Sequence, residues 1–312
     1  MKISNIIRIF VLSFLVSAGA MNAASAEPVW YPLPPEAYKF GQRYPDAQNL
    51  LFAFDYGHAL VYERLLLRRG TIPNPEAFEK QLIQDVLKIL KNPPHIKVEE
   101  QDIAPNYVFT FPLTVNLFDW SHMLHQFVLD ILATSVDRGD GMKARVNEIF
   151  KQYKANTPVV ITDQCKTMLF MDGHYFSKAF RSQYPSFNLL IWSYHWFQIK
   201  LYEALMKPAQ QERDVAVNKV TQKFWDLLSN LPDSADFDMM PETAVEAPTF
   251  AAMFPRIPSA FDNNHMLHDI TSDILTSDKV SRDQIRTEAV RVSRMDQDPA
   301  AFKSAKCPAD KP

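Results

Sequence analysis

The sequence predicts an all-α fold, a bundle of about eight to nine helices in a single domain joined by proline-rich loops. Two observations carry this. The 312 residues include only seven glycines, while 22 prolines fall mostly between apolar-periodic segments. Those segments repeat their apolar residues at helical rather than alternating spacing, and proline punctuation between them marks where helices start and stop. A chain this long buries a large core, and no shift in composition divides it.

Each element follows from local signals. After Tyr44-Pro45-Asp46 no breaker interrupts the run through Leu50, Phe54, His58, Val61, Tyr62 and Leu65, and Gly70 supplies a helix stop. Arg64, Arg68 and Arg69 near that end complement the helix dipole as capping cations. Asn74-Pro75-Glu76 opens a second helix as N-cap, first-turn proline and acidic residue, with Phe78, Leu82, Val86 and Leu90 as its buried stripe. Residues 92 to 115 carry four prolines and are left open between a loop and a short extended element. Further helices are expected at 118–136, 140–155, 162–182, 186–206, 208–230, 262–276 and 281–293. Between Pro232 and Pro258 the sequence suggests a long connection with one short helix near 247–254, and the tail 299–312 looks poorly ordered.

The N-terminal segment sets the expected compartment. Lys2 and Arg8 precede an apolar run from Ile9 to about Ala20, followed by Ala24-Ser25-Ala26. That is the layout of a secretory signal peptide cleaved near Ala26, giving a periodic division of 1–26 signal, 27–298 helical domain and 299–312 tail. The run is shorter than the ~20 residues of a membrane span, so no stable span is expected after cleavage. The mature protein is read as periplasmic or secreted. Cys165 and Cys307 are expected to pair in that oxidising compartment. Removal of Lys2 and Arg8 leaves 31 basic and 36 acidic residues, which with the absence of a dense basic cluster argues against nucleic-acid binding.

The functional signal is a repeat. Phe-Asp-x-x-His occurs as Phe54-Asp55-x-x-His58, Phe118-Asp119-x-x-His122 and Phe261-Asp262-x-x-His265. The last two copies continue as Met-Leu-His, adding His125 and His268, and reach Asp130 and Asp273 five residues further on. Residues at i, i+3 and i+6 climb about 9 Å along one side of a helix, so Asp119, His122 and His125 face one way, as do Asp262, His265 and His268. Carboxylates and imidazoles on facing helices are a donor set for a metal ion, here iron, manganese or zinc, since thiolates are lacking. Asp55, His58 and Glu63 offer a third wall, with Gly57 leaving room beside it. The expected metal ligands are therefore Asp55, His58, Asp119, His122, His125, Asp262, His265 and His268. A duplicated helical hairpin around a pseudo-symmetric centre would explain the matching copies.

A different role is open to part of the motif. Phe-Asp at a helix start is also a hydrophobic staple with an N-cap, which suits Asp119 and Asp262 if their helices begin at 118 and 262, and which would keep the following histidines neutral. The spacing His125 to Asp130 and His268 to Asp273 resembles that of hemerythrin-like bundles over six residues each. Their other histidine–carboxylate spacings are absent, and the chain is not assigned to them. His174 and His195, each beside aromatics, are the candidate cofactor-binding residues; a flat cofactor such as haem between them is less favoured than a divalent ion in such acidic surroundings. His95, in a proline-rich loop, has no assigned role. Expected partners are a metal ion or a small-molecule substrate, with oxidoreductase or hydrolase chemistry, and the alternatives are non-catalytic metal or haem binding and a helical interaction module whose histidines are structural.

Overall fold

The computed structural model describes residues 30, 33–93, 100–229, 231, 237 and 239–303. The expected signal peptide, His95 and Cys307, and with Cys307 its pairing to Cys165, lie outside them. Among the described residues the backbone forms fifteen α-helices, three 3-10 turns and no strand. The chain runs α1 (Lys39–Arg43), α2 (Pro45–Arg68), α3 (Pro75–Lys91), α4 (Glu100–Ile103), α5 (Pro105–Thr110) and α6 (Pro112–Thr134). Next come α7 (Asp140–Ala155) and α8 (Met168–Asp172). Then follow α9 (Ala179–Gln183), α10 (Pro185–Leu205), α11 (Gln210–Ser229), α12 (Thr243–Glu246), α13 (Pro248–Met253) and α14 (Arg256–Thr276), with α15 (Ile285–Met295) last. None of the described helices is long and apolar enough to cross a membrane.

The helix count exceeds the eight to nine expected because short helices occupy segments that local periodicity cannot resolve. The open stretch 92–115 contains α4 and α5, and the single helix expected over 162–182 is two short ones, α8 and α9. Between these two the chain turns through Gly173 and through Lys178, which adopts a left-handed φ of 72°. Pro299–Phe302 is a 3-10 turn with Phe302 buried, so the start of the expected tail is packed. The signals at α2 and α3 hold. Gly70 ends α2 with φ 68°, and the Asn74 side chain accepts from the Ala77 amide at 3.0 Å.

The larger architectural fact is that α1–α6 and α9–α14 are the same unit built twice. Phe40, Tyr44, Pro45, Tyr62 and Glu63 correspond to Phe180, Tyr184, Pro185, Tyr202 and Glu203, 140 residues on. From the fifth helix of the unit onward the offset is 143: Phe111, Pro112, Phe118, Asp119, His122, His125 and Asp130 match Phe254, Pro255, Phe261, Asp262, His265, His268 and Asp273. The extra residues fall between Glu203 and Thr243, where α11 is longer than its counterpart α3.

Corresponding residues do the same jobs. Glu63 accepts the amides of Asn106 and Tyr107 (3.3 and 2.8 Å) at the start of α5; Glu203 accepts those of Thr249 and Phe250 (3.0 and 3.4 Å) at the start of α13. Asp130 accepts the Lys39 and Phe40 amides (3.2 and 2.8 Å) at the start of α1; Asp273 accepts the Lys178 and Phe180 amides (2.7 and 2.8 Å) at α9. Each carboxylate thus satisfies helix-start donors that have no partner within their own helix.

The units also exchange contacts reciprocally. Tyr62 of the first hydrogen-bonds His268 of the second, and Tyr202 of the second hydrogen-bonds His125 of the first. Phe118 stacks on His268, while Phe261 lies edge-on to His125. Reciprocity of this kind is the mark of a two-fold relation. The counterparts Phe54 and Tyr194 stack on each other with centroids 3.4 Å apart, where the axis must pass. Helix α6 packs on α10 and α14, and α2 packs on α14, so these four helices form the centre. Arg69 does not cap its own helix: its buried guanidinium donates to the carbonyls of Ile274 (2.8 Å), Leu275, Ser277 and Val280 at the end of α14.

Candidate functional site

Six of the eight histidines meet in the centre. On α2 the side chains of Asp55, His58 and Tyr62 follow one another at i, i+3 and i+7 and share a face, as their counterparts His195, Gln198 and Tyr202 do on α10. Helix α6 brings His122 and His125 to the same region, and α14 brings His265 and His268.

Around the first face, the centroids of the His58 and His268 rings are 4.7 Å apart and those of His122 and His268 are 5.6 Å apart. His122 Nδ1 stands 3.8 Å from Asp55 Oδ1. The Tyr62 hydroxyl lies 3.1 Å from His268 Nδ1 and donates to the His268 carbonyl at 3.2 Å. With its hydrogen so committed, the phenol oxygen accepts from Nδ1–H and leaves Nε2 as the basic atom of His268. Phe118 stacks on this ring at 3.6 Å and 11°.

Around the second face, His195 stacks on His265 at 4.0 Å and 11°, and His265 Nε2 donates to Gln198 Oε1 at 3.2 Å. Nδ1 of His265 then presents its lone pair. Tyr202 holds His125 through Nδ1. The two faces adjoin, the His195 and His268 centroids being 6.2 Å apart.

Two features of the cluster matter for chemistry. Burial, and then the neighbouring histidines, push His58, His195, His265 and His268 well below the ordinary histidine value, and burial followed by His122 lowers His125 to about 3. These five rings are neutral at pH 7, the form that binds metal. Six of their ring nitrogens are also buried without a hydrogen-bond partner: both of His58, both of His195, Nδ1 of His265 and Nε2 of His125. Each such nitrogen carries a desolvation cost of about 1–3 kcal/mol that nothing in the protein offsets.

The exposure is uneven. His122 and Asp55 form an edge open to solvent, their side chains 20% and 32% exposed, whereas His195 and His265 are 1% and 5% exposed. Among the described residues, no group of three or more His, Cys, Asp or Glu side chains stands as it would round a metal ion. The rings instead lie partly face to face, His195 on His265 and His268 on Phe118.

The expected carboxylates behave less uniformly than the histidines. Asp55 reaches a histidine. Asp262 does not: it accepts from the Thr243 amide (3.0 Å) and hydroxyl (2.6 Å) at the start of α12, and burial, opposed by Lys166 and Thr243, raises it to about 6. Neither Asp119 nor Asp262 caps its own helix, because α6 starts at Pro112 and α14 at Arg256, a turn or more before them. The staple and first-turn dipole arguments fail with that, and histidine neutrality comes from burial. Glu63 serves α5 rather than the cluster, and the space beside Gly57 faces Val86 of α3, 3.5 Å from where a Cβ would lie. His195 joins the cluster, but His174 does not: it stacks on Phe176 and faces Arg291, and burial followed by that guanidinium lowers its pKa.

Tyr62, Gln198 and Tyr202 are the residues that motif reading missed. Their signal was the correspondence of Tyr44-Pro45 through Tyr62-Glu63 with Tyr184-Pro185 through Tyr202-Glu203, which becomes visible when the two segments are set side by side. Searches against family models, curated proteins and solved structures give no match to this chain.

Proposed function

We propose that this protein is a metalloprotein of the cell envelope whose buried histidines bind divalent transition-metal ions, and that the solvent-open edge at Asp55 and His122 admits a small-molecule substrate for oxidoreductase or hydrolase chemistry. The observation that carries the reading is the pair His58 and His195. Both are buried, and neither ring has a hydrogen bond at either nitrogen. A core histidine kept for structure ordinarily finds partners for its nitrogens.

Three further points support it. Tyr62, Tyr202 and Gln198 each engage one nitrogen of a histidine and leave the other for an ion, as outer partners of metal-bound histidines do. Two imidazoles on one tetrahedral ion, bound at about 2.0–2.1 Å, place their ring centres about 5 Å apart, and the His58–His268 and His122–His268 separations are 4.7 and 5.6 Å. Finally, no hydrogen bond holds the His58 and His195 rings at their present angle, so rotating them toward an ion sacrifices none.

The ring stacking of His195 on His265 favours a second reading, in which the histidines are packing elements of a helical interaction module. Elemental analysis of the mature protein, purified without a metal-affinity tag and then offered zinc, manganese or iron(II), decides between them. Stoichiometric metal that falls in His58→Ala and in His195→Ala supports the metal centre. Absence of metal from the folded wild type after loading gives the packing reading.

A further inference from the structure

The two-fold relation between the units extends through the histidine cluster, but the chemistry at matching positions differs. On the first face, α2 supplies Asp55 and His58, α6 supplies His122, and α14 lends His268 from the other unit, held by Tyr62. On the second face, α10 supplies His195 and Gln198, α14 supplies His265, and α6 lends His125, held by Tyr202. Carboxylate has become imidazole at one position, Asp55 against His195, and imidazole has become amide at another, His58 against Gln198.

We propose that the duplicated unit builds two non-equivalent cation sites. The first, of Asp55, His58, His122 and His268, is open to solvent and exchanges its ion. The second, of His195, His265 and His125 with Gln198 holding His265 from outside, is sealed and retains its ion. This rests on the metal reading above and deepens it, assigning each side chain to one of two ions.

Three observations separate the sites. The first is accessibility: Asp55 and His122 are partly exposed, whereas His195, His265 and Gln198 are buried. The second is the distribution of unpartnered nitrogens. Four of the six lie on the sealed face, on His195, His265 and His125, so that face requires an occupant of its own and is not merely a wall of the first site. The third is the donor set. A carboxylate makes the first site the better seat for a hard, hydrated, exchanging cation, while an all-neutral set rich in imidazole suits zinc, copper, nickel or cobalt held without water. The chemistry then belongs to the first ion, because a substrate reaches only that face.

The test uses full-length mature protein, stripped of metal, loaded with cobalt(II) and desalted. Metal content is measured, and the visible absorption of the bound ion is followed during extraction by excess EDTA. The expected result is two equivalents leaving in two phases, one equivalent in each by metal content, the slow phase at least ten times slower. Asp55→Asn accelerates or removes the fast phase alone; His58→Ala removes it; His195→Ala removes the slow one. Gln198→Ala, a milder change, speeds the slow phase and serves if His195→Ala fails to fold. A single equivalent, one extraction phase, or the joint loss of both ions in Asp55→Asn overturns the two-site proposal while leaving metal binding intact. No cobalt in folded wild type defeats the metal reading itself.

Discussion

Replacing His195 by Leu removes the two unpartnered ring nitrogens of a side chain that is 1% exposed, while keeping an apolar group of similar bulk against His265 and the helices around it. Each unpaired buried nitrogen costs about 1–3 kcal/mol in the folded state. Loss of the ring stack and imperfect filling by Leu give part of that back, leaving a net stabilisation of about 2 kcal/mol in metal-free protein. For a chain of this size that is a rise in Tm of about 3 °C. Metal reverses the order. An ion present at a hundred times its Kd stabilises wild type by about 2.7 kcal/mol, and the variant, lacking that ligand, gains less. Thermal unfolding at pH 7.5, with EDTA and with saturating zinc, reads both halves of the comparison. If the variant is several kcal/mol less stable than wild type in EDTA, the His195 nitrogens are satisfied in solution and the argument from orphaned donors is refuted.

Three other outcomes follow from the geometry. Asp273→Ala strips two short-helix amides of their acceptor and costs about 3 kcal/mol in urea unfolding, more than Asp130→Ala, whose carboxylate is closer to solvent. Tyr62→Phe and Tyr202→Phe each free one histidine nitrogen; they weaken metal affinity about 10–100-fold and leave secondary structure by circular dichroism unchanged. Stability against pH in metal-free protein has opposed slopes. The five lowered histidines take up protons first in the unfolded state, so they remove stability as pH falls below 6.5, each by about 1.4 kcal/mol per unit. Asp262, Asp269, Asp273 and Asp296, raised chiefly by burial to about 6, 7, 6 and 8, take up protons first in the folded state, so the strain they impose is relieved over the range from there down to 3.8. Denaturant midpoints should therefore peak just below pH 7 and decline beneath it, five histidines against four carboxylates leaving a net loss of about 1.4 kcal/mol per unit between pH 6 and 4 and several times that below; a loss of about 7 kcal/mol per unit already between pH 6 and 5 would show that those carboxylates are ionised in the folded protein.

The long helices were legible because their boundaries are written locally: Asn74 and Pro75 open α3, Gly70 closes α2, and Pro185 opens α10. The short helices were not, since four to six residues carry too few turns for a period, and they are held by distant carboxylates such as Glu63 and Asp273. The repeated Phe-Asp-x-x-His motif marks one helix face, and the histidines it carries lie together in the structure. It misjudged Asp262, because Phe-Asp-x-x-His does not tell whether a carboxylate looks inward or turns to the Thr243 amide. It overlooked Gln198 and Tyr202, which lie on a helix whose copy of the motif has diverged to Tyr194-His195-x-x-Gln198.

The exchange of histidines between the units has a consequence for assembly. His268 is secured by a tyrosine 206 residues earlier in the chain, and His125 by one 77 residues later. Neither half of the cluster is complete until α14, almost the last helix, has docked between α2 and α6. A growing chain therefore displays His58, His122 and His125 without the residues that complete the cluster. Under the metal reading proposed above, ion capture would be the final step of folding, and a chain that ends before Arg256 would lack His265 and His268 and with them half of the cluster.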